Sequence, residues 1–271
     1  MTWRQKLLAA GLLLASPLPL LAHDFWIEPT SFAPHPGQIV GLRLRVGEHL
    51  AGDPVALAPA LVKRFVLADT LEARPVLVRQ GGDPAAVARV TLPGLSIVGY
   101  HSQPNRIELA ADKFNAYLTA EGLEAIGELR ARRNQSGALA RELYARCAKS
   151  LLLVGPAGAA QDDRRLGLPL ELVAERNPYA VAEGADLPVR LSFEDRPLSG
   201  ALVVAINSLR PFERQAARTD SEGRVHLQLS PGGMWLVKAV HIIAAPANAD
   251  SGADWLSFWA SLTFEVHAAS Q

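Results

Sequence analysis

Apolar and polar residues alternate in short stretches between residues 39 and 109, and turn-forming residues separate these stretches. The stretches are IVGLRLRVG, VKRFVLAD, RPVLVRQ, AAVARVTL and GLSIVGYHS. Alternation with a period of two is typical of β-strands that bury one face. The Gly-Asp-Pro and Pro-Gly breaks between the later stretches indicate turns. The pattern therefore predicts an antiparallel β-sandwich in the first half of the chain.

Strand-like stretches return at residue 168 and continue to the end of the chain. About six of them are recognisable: LPLELVAE, DLPVRLSFED, ALVVAIN, QAARTDSEGRVHLQLS, MWLVKAVHIIAA and FWASLTFEVH. A turn precedes one strand, and Asp-Ser-Glu-Gly precedes the next, as in small prealbumin-like sandwiches. We therefore predict a second β-sandwich over residues 168–271.

A different periodicity separates the two strand-rich regions. Apolar residues recur at three- and four-residue steps in DKFNAYLTAEGLEAIGELRARR and in ALARELYARCAKSLL, with Asn-Gln-Ser-Gly between them. This is the helical period, so residues 111–152 are predicted to form a helical pair. The stripe that includes Phe114, Leu118 and Ile126 needs a partner surface, which we expect on the first sandwich.

A stretch rich in glycine, alanine and charge, GPAGAAQDDRRLG, follows the predicted helices and favours a linker over residues 156–167. The predicted domains are then residues 23–155, an N-terminal sandwich that carries the helical segment, and residues 168–271. The predicted fold class is mainly β, with two β-sandwich domains, Ig-like or prealbumin-like, and a helical pair between them.

The first 22 residues have the layout of a secretory signal peptide. Arg4 and Lys6 form a positive start, an apolar run follows, and Ala22 offers the small residue that a signal peptidase requires. Two prolines interrupt the run before it reaches the roughly 20 apolar residues of a membrane span. We therefore expect cleavage before His23, a periplasmic location, and a mature chain without a membrane span.

Composition excludes several classes of function. Without Arg4 and Lys6, 25 basic residues face 27 acidic ones, a formal charge of −2. Such a chain has no electrostatic signature for nucleic acid, so no nucleic-acid partner is expected. The single cysteine, Cys147, cannot form an internal disulfide and is interpreted as a buried structural thiol. The nucleophile elbow, phosphate loop and zinc-protease motifs are absent from the sequence, so we do not expect an enzyme.

Histidines are the most informative polar residues. Three occupy turns or strand positions expected to face solvent: His35, His226 and His267. His49 and His101 end strands just before turns. His241 differs because it stands in an apolar strand, where a histidine is more often a core residue than a ligand.

Cleavage before His23 would create a metal-binding group that the internal histidines lack. An N-terminal histidine offers its α-amino group and its ring Nδ1 to one metal ion, and the amine loses its proton at modest cost. Further imidazoles from His49 and His241 would complete a nitrogen-rich site. Such ligands favour Ni²⁺, Co²⁺, Cu²⁺ or Zn²⁺ over Ca²⁺ or Mg²⁺.

Several motifs in order along the mature chain resemble the DUF4198 family. They are AHDFWIEP, LRVGEHLAGDPV, NRIELAADKFNAYLTAEGL, RELYARCAKSLLLVG, WLVKAVHI and ADWLSFWASLTFEV. The resemblance implies an exported bacterial protein similar to the periplasmic components of nickel and cobalt uptake systems. It implies metal ligands at His23, His49 and His241, with His101 in reserve, a Ni²⁺ or Co²⁺ ion, and a membrane metal transporter as partner.

Two other functions stay open at this point. A copper site built on an N-terminal histidine could activate oxygen, which would make the protein an oxidoreductase. Alternatively, the chain is a structural or adhesive double sandwich whose histidines bind nothing. Binding is preferred to catalysis because no acid-base pair or nucleophile accompanies the histidines.

Overall fold

Strands make up most of the regular structure in the computed structural model, which describes residues 23–156, 161–181, 184–229, 232–246 and 252–266. The predicted signal peptide, residues 1–22, lies outside the described residues. None of the helices in the described ranges is long and apolar enough to cross a membrane.

The first part of the chain contains ten strands, two α-helices and a short 3₁₀ helix at Pro59–Leu61. The strands are β1 (Asp24–Pro29), β2 (Ile39–Glu48), β3 (Ala51–Pro54), β4 (Val62–Ala68), β5 (Ala73–Pro75), β6 (Leu77–Val78), β7 (Ala86–Arg89), β8 (Gly94–Ser102), β9 (Asn105–Leu109) and β10 (Ala140–Val154). The helices are α1 (Ala111–Ala120) and α2 (Glu124–Arg132), which precede β10.

Only strands follow among the regular elements described after residue 161. They are β11 (Leu170–Ala174), β12 (Asp186–Phe193), β13 (Arg196–Pro197), β14 (Leu202–Asn207), β15 (Arg210–Arg218), β16 (Arg224–Gln228), β17 (Gly233–Ala244) and β18 (Trp255–Val266).

A nine-stranded sheet forms the middle layer of the molecule, in the order β15-β14-β17-β18-β10-β8-β4-β5, with β9 paired to β10. A five-stranded sheet contains β1, β2, β3, β6 and β7, and a four-stranded sheet contains β11, β12, β13 and β16. The two halves of the chain join where β10 pairs in parallel with β18. The first and last parts of the chain therefore share one continuous sheet.

Two apolar cores lie on opposite faces of this central sheet. Leu95, Ile97 and Leu151 contribute to the core under the four-stranded sheet, whereas Val98 and Leu152 contribute to the core under the five-stranded sheet. Successive residues of a strand point to opposite faces, which explains how β8 and β10 serve both cores. The prediction of a mainly β protein with two sandwiches and a helical pair is confirmed. The predicted domain bounds on either side of residues 156–167 stay a prediction.

The prediction of a helix within ALARELYARCAKSLL is wrong, because this segment belongs to strand β10. Residues 147–154 are all buried, since sheets cover both faces of the strand. A strand buried on both faces loses the alternation that distinguishes it from a helix. Its alanine, arginine, glutamate and leucine residues favour a helix locally, but packing overrides this preference.

Both helices instead come from the first predicted helical stretch. Gly122 separates them and has a φ of +66°, a backbone conformation that glycine adopts without strain. Phe114 and Leu118 of α1 pack with Val240 and Trp255, which belong to β17 and β18. The helices are packed on the sheet, as expected, and their partners include Leu109 and Ala140 of the first part of the chain as well as these residues of the last part. The shared central sheet brings the last strands of the chain to the same face.

Residues 161–167 of the predicted linker are held by buried polar contacts. The carboxylate of Glu171 accepts hydrogen bonds from the backbone N–H groups of Leu166, Gly167 and Leu168. Asp163 lies in the interior, where its carboxylate meets the Lys149 ammonium. This part of the connection is therefore fixed to the central sheet.

Candidate functional site

A cavity of about 480 Å³ lies beside the first described residue, His23. Its walls come from β1, from the segment after β3, from β8 to β10, from α1 and from β18. The lining residues include His23, Phe25, Tyr117, Glu142, Tyr144, Arg146 and Trp259. The volume lies in the range of pockets that hold small organic molecules.

Strand alternation places the functional side chains of β10 on the cavity wall. Glu142, Tyr144 and Arg146 are two residues apart and all line the cavity, as residues on one face of a strand must. On β1, the same alternation puts His23 and Phe25 on the cavity side. The opposite face of β10 carries Cys147, whose burial raises the pKa of its thiol to about 12. This thiol is therefore protonated in the folded protein.

Arg146 lies near two aromatic rings, and its Nη1 atom lacks a hydrogen-bond partner among the described residues. Its Cζ atom lies 4.5 Å from the Phe25 ring centroid and 5.5 Å from the Tyr144 ring centroid. The Nη1 atom is buried and has no hydrogen-bond partner among the described residues. Burial lowers the pKa of Arg146, although an arginine remains charged at neutral pH. The site thus contains a partly buried cation whose buried Nη1 atom has unused hydrogen-bonding capacity.

Glu142 is the acidic residue of the cavity wall and is almost completely buried. The Ser257 hydroxyl is within hydrogen-bonding reach of its carboxyl group, and the Trp259 indole N–H donates to Ser257 Oγ over 3.2 Å. Burial raises the pKa of Glu142, and these hydrogen bonds lower it by a smaller amount. Burial, followed by the nearby Glu142 charge, raises the pKa of Tyr117. The environment thus favours the neutral forms of both groups.

An ion-pair network next to the cavity holds the start of β1 in place. The Lys238 ammonium of β17 lies 2.6 Å from Asp24 Oδ1 and 3.0 Å from Glu121 Oε1, at the end of α1. All three side chains are largely buried. Asp24 follows His23 directly, so this network sets where His23 and a mature N-terminus would lie.

His23, the first predicted metal ligand, lies at the cavity and close to one carboxylate. Its Nε2 atom is 4.0 Å from Glu48 Oε1, and both side chains are substantially exposed. Their proximity follows from the pairing of Asp24 with Gly47, which places His23 across from Glu48. At this separation the two groups form no hydrogen bond, and the ring lies beside the carboxylate at a partly exposed edge of the molecule.

His49, the second predicted ligand, follows Glu48 in the turn between β2 and β3. Its Nδ1 atom lies 3.1 Å from the carbonyl oxygen of Pro211, and its ring packs on Phe212 at 4.7 Å between centroids. His49 and Leu50 have φ values of +52° and +61°, which side chains of their size rarely adopt. Positive φ values at both central residues are those of a two-residue type I′ hairpin turn, which joins β2 to β3 here.

His241, the third predicted ligand, lies on the other face of the central sheet. Its neighbours Val240 and Ile242 pack with the helices on the cavity side, whereas His241 packs on Phe193 of β12 at 4.6 Å between ring centroids. The structure therefore does not bring His241 to His23. Burial lowers the pKa of His241, as expected for a histidine in a largely apolar position.

The reserve ligand, His101, also lies away from the cavity. It follows Tyr100, which lines the cavity, so its side chain points to the opposite face of β8. Burial and then the charges of Lys63 and Arg64 lower its pKa to about 4. Within the described parts of the chain, no three His, Cys, Asp or Glu side chains form a metal-binding group. Metal binding through His23, His49 and His241 therefore stays a prediction.

Neither Arg146 nor Glu142 was predicted from the sequence to be a site residue. Both belong to the segment that was predicted to be helical, so their spacing was not recognised as that of residues on one strand face. The available signal was the alternation of glutamate, tyrosine and arginine at residues 142, 144 and 146, which is the pattern of one strand face. The stacking of Arg146 on Phe25 depends on a contact between distant parts of the chain, so spacing alone could not show it.

Comparisons with known proteins give one family and distant structural likenesses. The chain is similar to the "D0-D1 domain of Intimin", with 15% identity and a TM-score of 0.23, over 90% of this chain and 98% of that one. It is also similar to a "tetra-tandem repeat in extending region of large adhesion protein", with 13% identity and a TM-score of 0.21, over 89% of this chain and 49% of that one. No curated protein matches the sequence. The family model "Domain of unknown function (DUF4198)" matches residues 20–243, so the chain belongs to the DUF4198 family.

Proposed function

We propose that the chain is an exported periplasmic protein that binds a transition-metal ion, Ni²⁺ or Co²⁺, and delivers it to a membrane metal transporter. His23 is the principal ligand. The observation that carries the proposal is the position of His23 across from Glu48, with Nε2 4.0 Å from Oε1, at a partly exposed edge of the molecule. The proposed activity is binding, without turnover of a substrate.

The donors come from a mature N-terminus at His23. Its α-amino group and ring Nδ1 form a chelate with one metal ion, while the Glu48 carboxylate lies 4.0 Å from the opposite ring nitrogen. Carboxylates orient metal-ligating imidazoles when they come within hydrogen-bonding distance of the ring. The nitrogen donors favour Ni²⁺ and Co²⁺, with Cu²⁺ and Zn²⁺ as further ions that bind in solution.

His49 is the accessory ligand in this proposal. The chain places it directly after Glu48, and the Pro211 carbonyl is a suitable acceptor for an Nδ1–H group. A proton on Nδ1 leaves Nε2 as the donor for metal. His49 also occupies an exposed two-residue turn between β2 and β3, which leaves its ring open to solvent on one side. His241 is no longer needed as a ligand because it lies across the central sheet.

The experiment compares metal affinity in four forms of the protein by titration calorimetry with Ni²⁺, Co²⁺, Cu²⁺ and Zn²⁺. They are the processed chain that begins at His23, the same chain with one extra N-terminal methionine, His23→Ala and His241→Ala. We expect the extra residue and His23→Ala to weaken binding by about 10- to 100-fold or more, the size of loss seen for disturbed metal sites. His241→Ala is the matched control and should bind like the processed chain.

Two results would overturn the proposal. One is equal affinity in all four forms, and the other is loss of binding only in His241→Ala. The affinity should also fall as the pH drops from about 8 to about 6, because the amine and the ring bind metal only after losing their protons. Tightest binding of Cu²⁺ would not decide the biological metal, since nitrogen sites generally prefer Cu²⁺.

A further inference from the structure

We propose that the cavity beside His23 binds a small organic carboxylate with an aromatic or aliphatic body, and that Arg146 holds its carboxylate group. The inference does not rest on metal binding. A cavity of about 480 Å³ is far larger than one metal ion with ligands at about 2 Å requires. It has the size and the mostly apolar walls of a site for a small organic molecule.

The position of Arg146 determines the group that the site recognises. The Phe25 and Tyr144 rings lie over the guanidinium, so hydrogen bonds to a ligand are available only at its edges. Nη1 at one edge is buried and has no partner among the described residues. A carboxylate matches a guanidinium edge, because both are planar and can form two parallel hydrogen bonds. An incoming carboxylate would therefore supply the missing acceptor and the compensating charge.

The charges around the cavity favour an anion over a cation. Lys113 stands on the wall together with Arg146, whereas Glu142 is the acidic residue among the lining residues. Burial raises the pKa of Glu142, which reduces its negative charge near the ligand. In its protonated form Glu142 can also donate a hydrogen bond. Complementary charge of this kind selects between ligands of similar shape.

The remaining walls accept the apolar body of the ligand. Leu57, Ile107 and Leu109 line one side, and Tyr100 and Trp259 line the cavity with their rings. Aromatic side chains offer large rigid surfaces that pack on flat or aliphatic groups. A bare acetate would leave these walls uncovered, so affinity should rise with the length of the ligand's apolar body.

The test measures binding of acetate, hexanoate, benzoate, indole-3-acetate and 4-phenylbutyrate by titration calorimetry, with EDTA present to exclude metal. The neutral probe is 4-phenylbutanamide, which keeps the shape of its acid and removes the charge. We expect at least one of the longer acids to bind with affinity at least about 10-fold above acetate. The amide should bind at least about 10-fold more weakly than its acid, because it cannot pair with a partly buried cation.

Variants assign the effect to the cavity. Arg146→Gln should lower the affinity for the best acid by about 10-fold or more, and Arg141→Gln, the same change on an exposed residue of β10, should leave it unchanged. Ala56→Trp supplies a second variant that does not disturb the core, since Ala56 is an exposed lining residue and a bulky side chain there should obstruct the cavity. Circular dichroism checks the fold of each variant.

Three results would each overturn the proposal: no binding of any acid at about 10 mM, equal binding of the amide and its acid, or unchanged affinity in a folded Arg146→Gln. Its failure is distinguishable from failure of metal binding. Arg146→Gln should retain the metal affinity of the processed chain, and His23→Ala should lose metal affinity while it still binds the acid in EDTA.

Discussion

Strand β10 carries a cationic side chain on each face of the central sheet, Lys149 on one and Arg146 on the other. The surroundings of these two cations differ. The Lys149 ammonium lies 2.8 Å from Asp163 Oδ1 and 3.4 Å from Glu171 Oε1, and donates to the carbonyl oxygens of Arg164 and Leu172 at 3.0 Å each. Arg146, three residues earlier and on the cavity face, has a buried Nη1 with no partner in the described residues. The Lys149 ammonium is thus surrounded by acceptors, whereas the Arg146 guanidinium lacks an acceptor at Nη1.

The difference distinguishes a cation that stabilises the fold from one that is available to bind a ligand. A buried charge is tolerated when its partners surround it, and the carboxylates near Lys149 connect β10 to residues 161–167 and β11. A buried hydrogen-bond donor without a partner costs stability. Polar groups without a partner are expected at binding sites, where a ligand completes their hydrogen bonds. Stability measurements on the two cations should therefore give opposite results.

The largest effect is expected for Lys149→Met. Methionine fills similar space, but Asp163 and Glu171 would remain buried without their cation. Removing one partner of a buried ion pair typically lowers the free energy of unfolding by about 3–5 kcal/mol. Urea unfolding followed by circular dichroism measures the change. Lys63→Met, at an exposed position of β4, is the control and should change stability by less than about 0.5 kcal/mol. A loss below about 1 kcal/mol in Lys149→Met would contradict the structural role.

Alternation of apolar and polar residues was sufficient to predict most of the strands, but not strand β10, which carries the two cations. β2 was predicted because apolar and polar residues alternate in IVGLRLRVG. β10 was not, because residues 147–154 are buried on both faces and form a continuous apolar run around Lys149. Apolar residues three and four positions apart in such a run are equally compatible with a helix. Only the carboxylates contributed from residues 163 and 171 explain the burial of Lys149.

The candidate site was predictable in proportion to how local its determinants are. His23 was predicted as a site residue because it follows the predicted signal peptide, and Glu48 stands beside the predicted ligand His49 in one motif. The separation of His241 from His23 depends on which face of β17 meets the cavity, and that is decided by packing of α1 on Val240 and Ile242. Arg146 depends on Phe25 from another sheet. Contacts between distant segments have no signature in the spacing of one segment.

An intermediate effect, dependent on pH, is expected for Glu142→Gln on the cavity face. Burial raises the pKa of Glu142, so the folded state binds this proton more tightly than the unfolded chain does. The resulting stabilisation is complete below the ordinary glutamate pKa of about 4.3 and is lost as the pH rises through the raised value. Glutamine mimics the protonated form and keeps its contribution at all pH values.

The free energy of unfolding of Glu142→Gln relative to the parent protein should therefore increase from pH 4.5 to pH 8. The increase is about 1.4 kcal/mol for each unit by which the pKa is raised. Urea unfolding at several pH values measures it. Glu128→Gln, on the exposed side of α2, is the matched control and should show a flat difference. A flat difference for Glu142→Gln as well would show that its carboxyl group is not desolvated.

The smallest effect on stability, and the one with the opposite sign, is expected for Arg146→Met. The aliphatic part of the side chain and its contact with the Phe25 ring are retained in part by methionine, whose thioether also packs well on aromatic rings. The change removes a buried donor that has no partner in the described residues, so it removes a desolvation cost along with the stacking of the cation. We expect the free energy of unfolding to stay within about 1 kcal/mol of the parent protein or to rise by that amount, in the same urea assay used for Lys149→Met. A loss of 3 kcal/mol or more would mean that Arg146, like Lys149, is a structural cation with compensating partners. An unchanged or increased stability together with lost binding of organic acids would show that the cavity face gives up stability for a binding site.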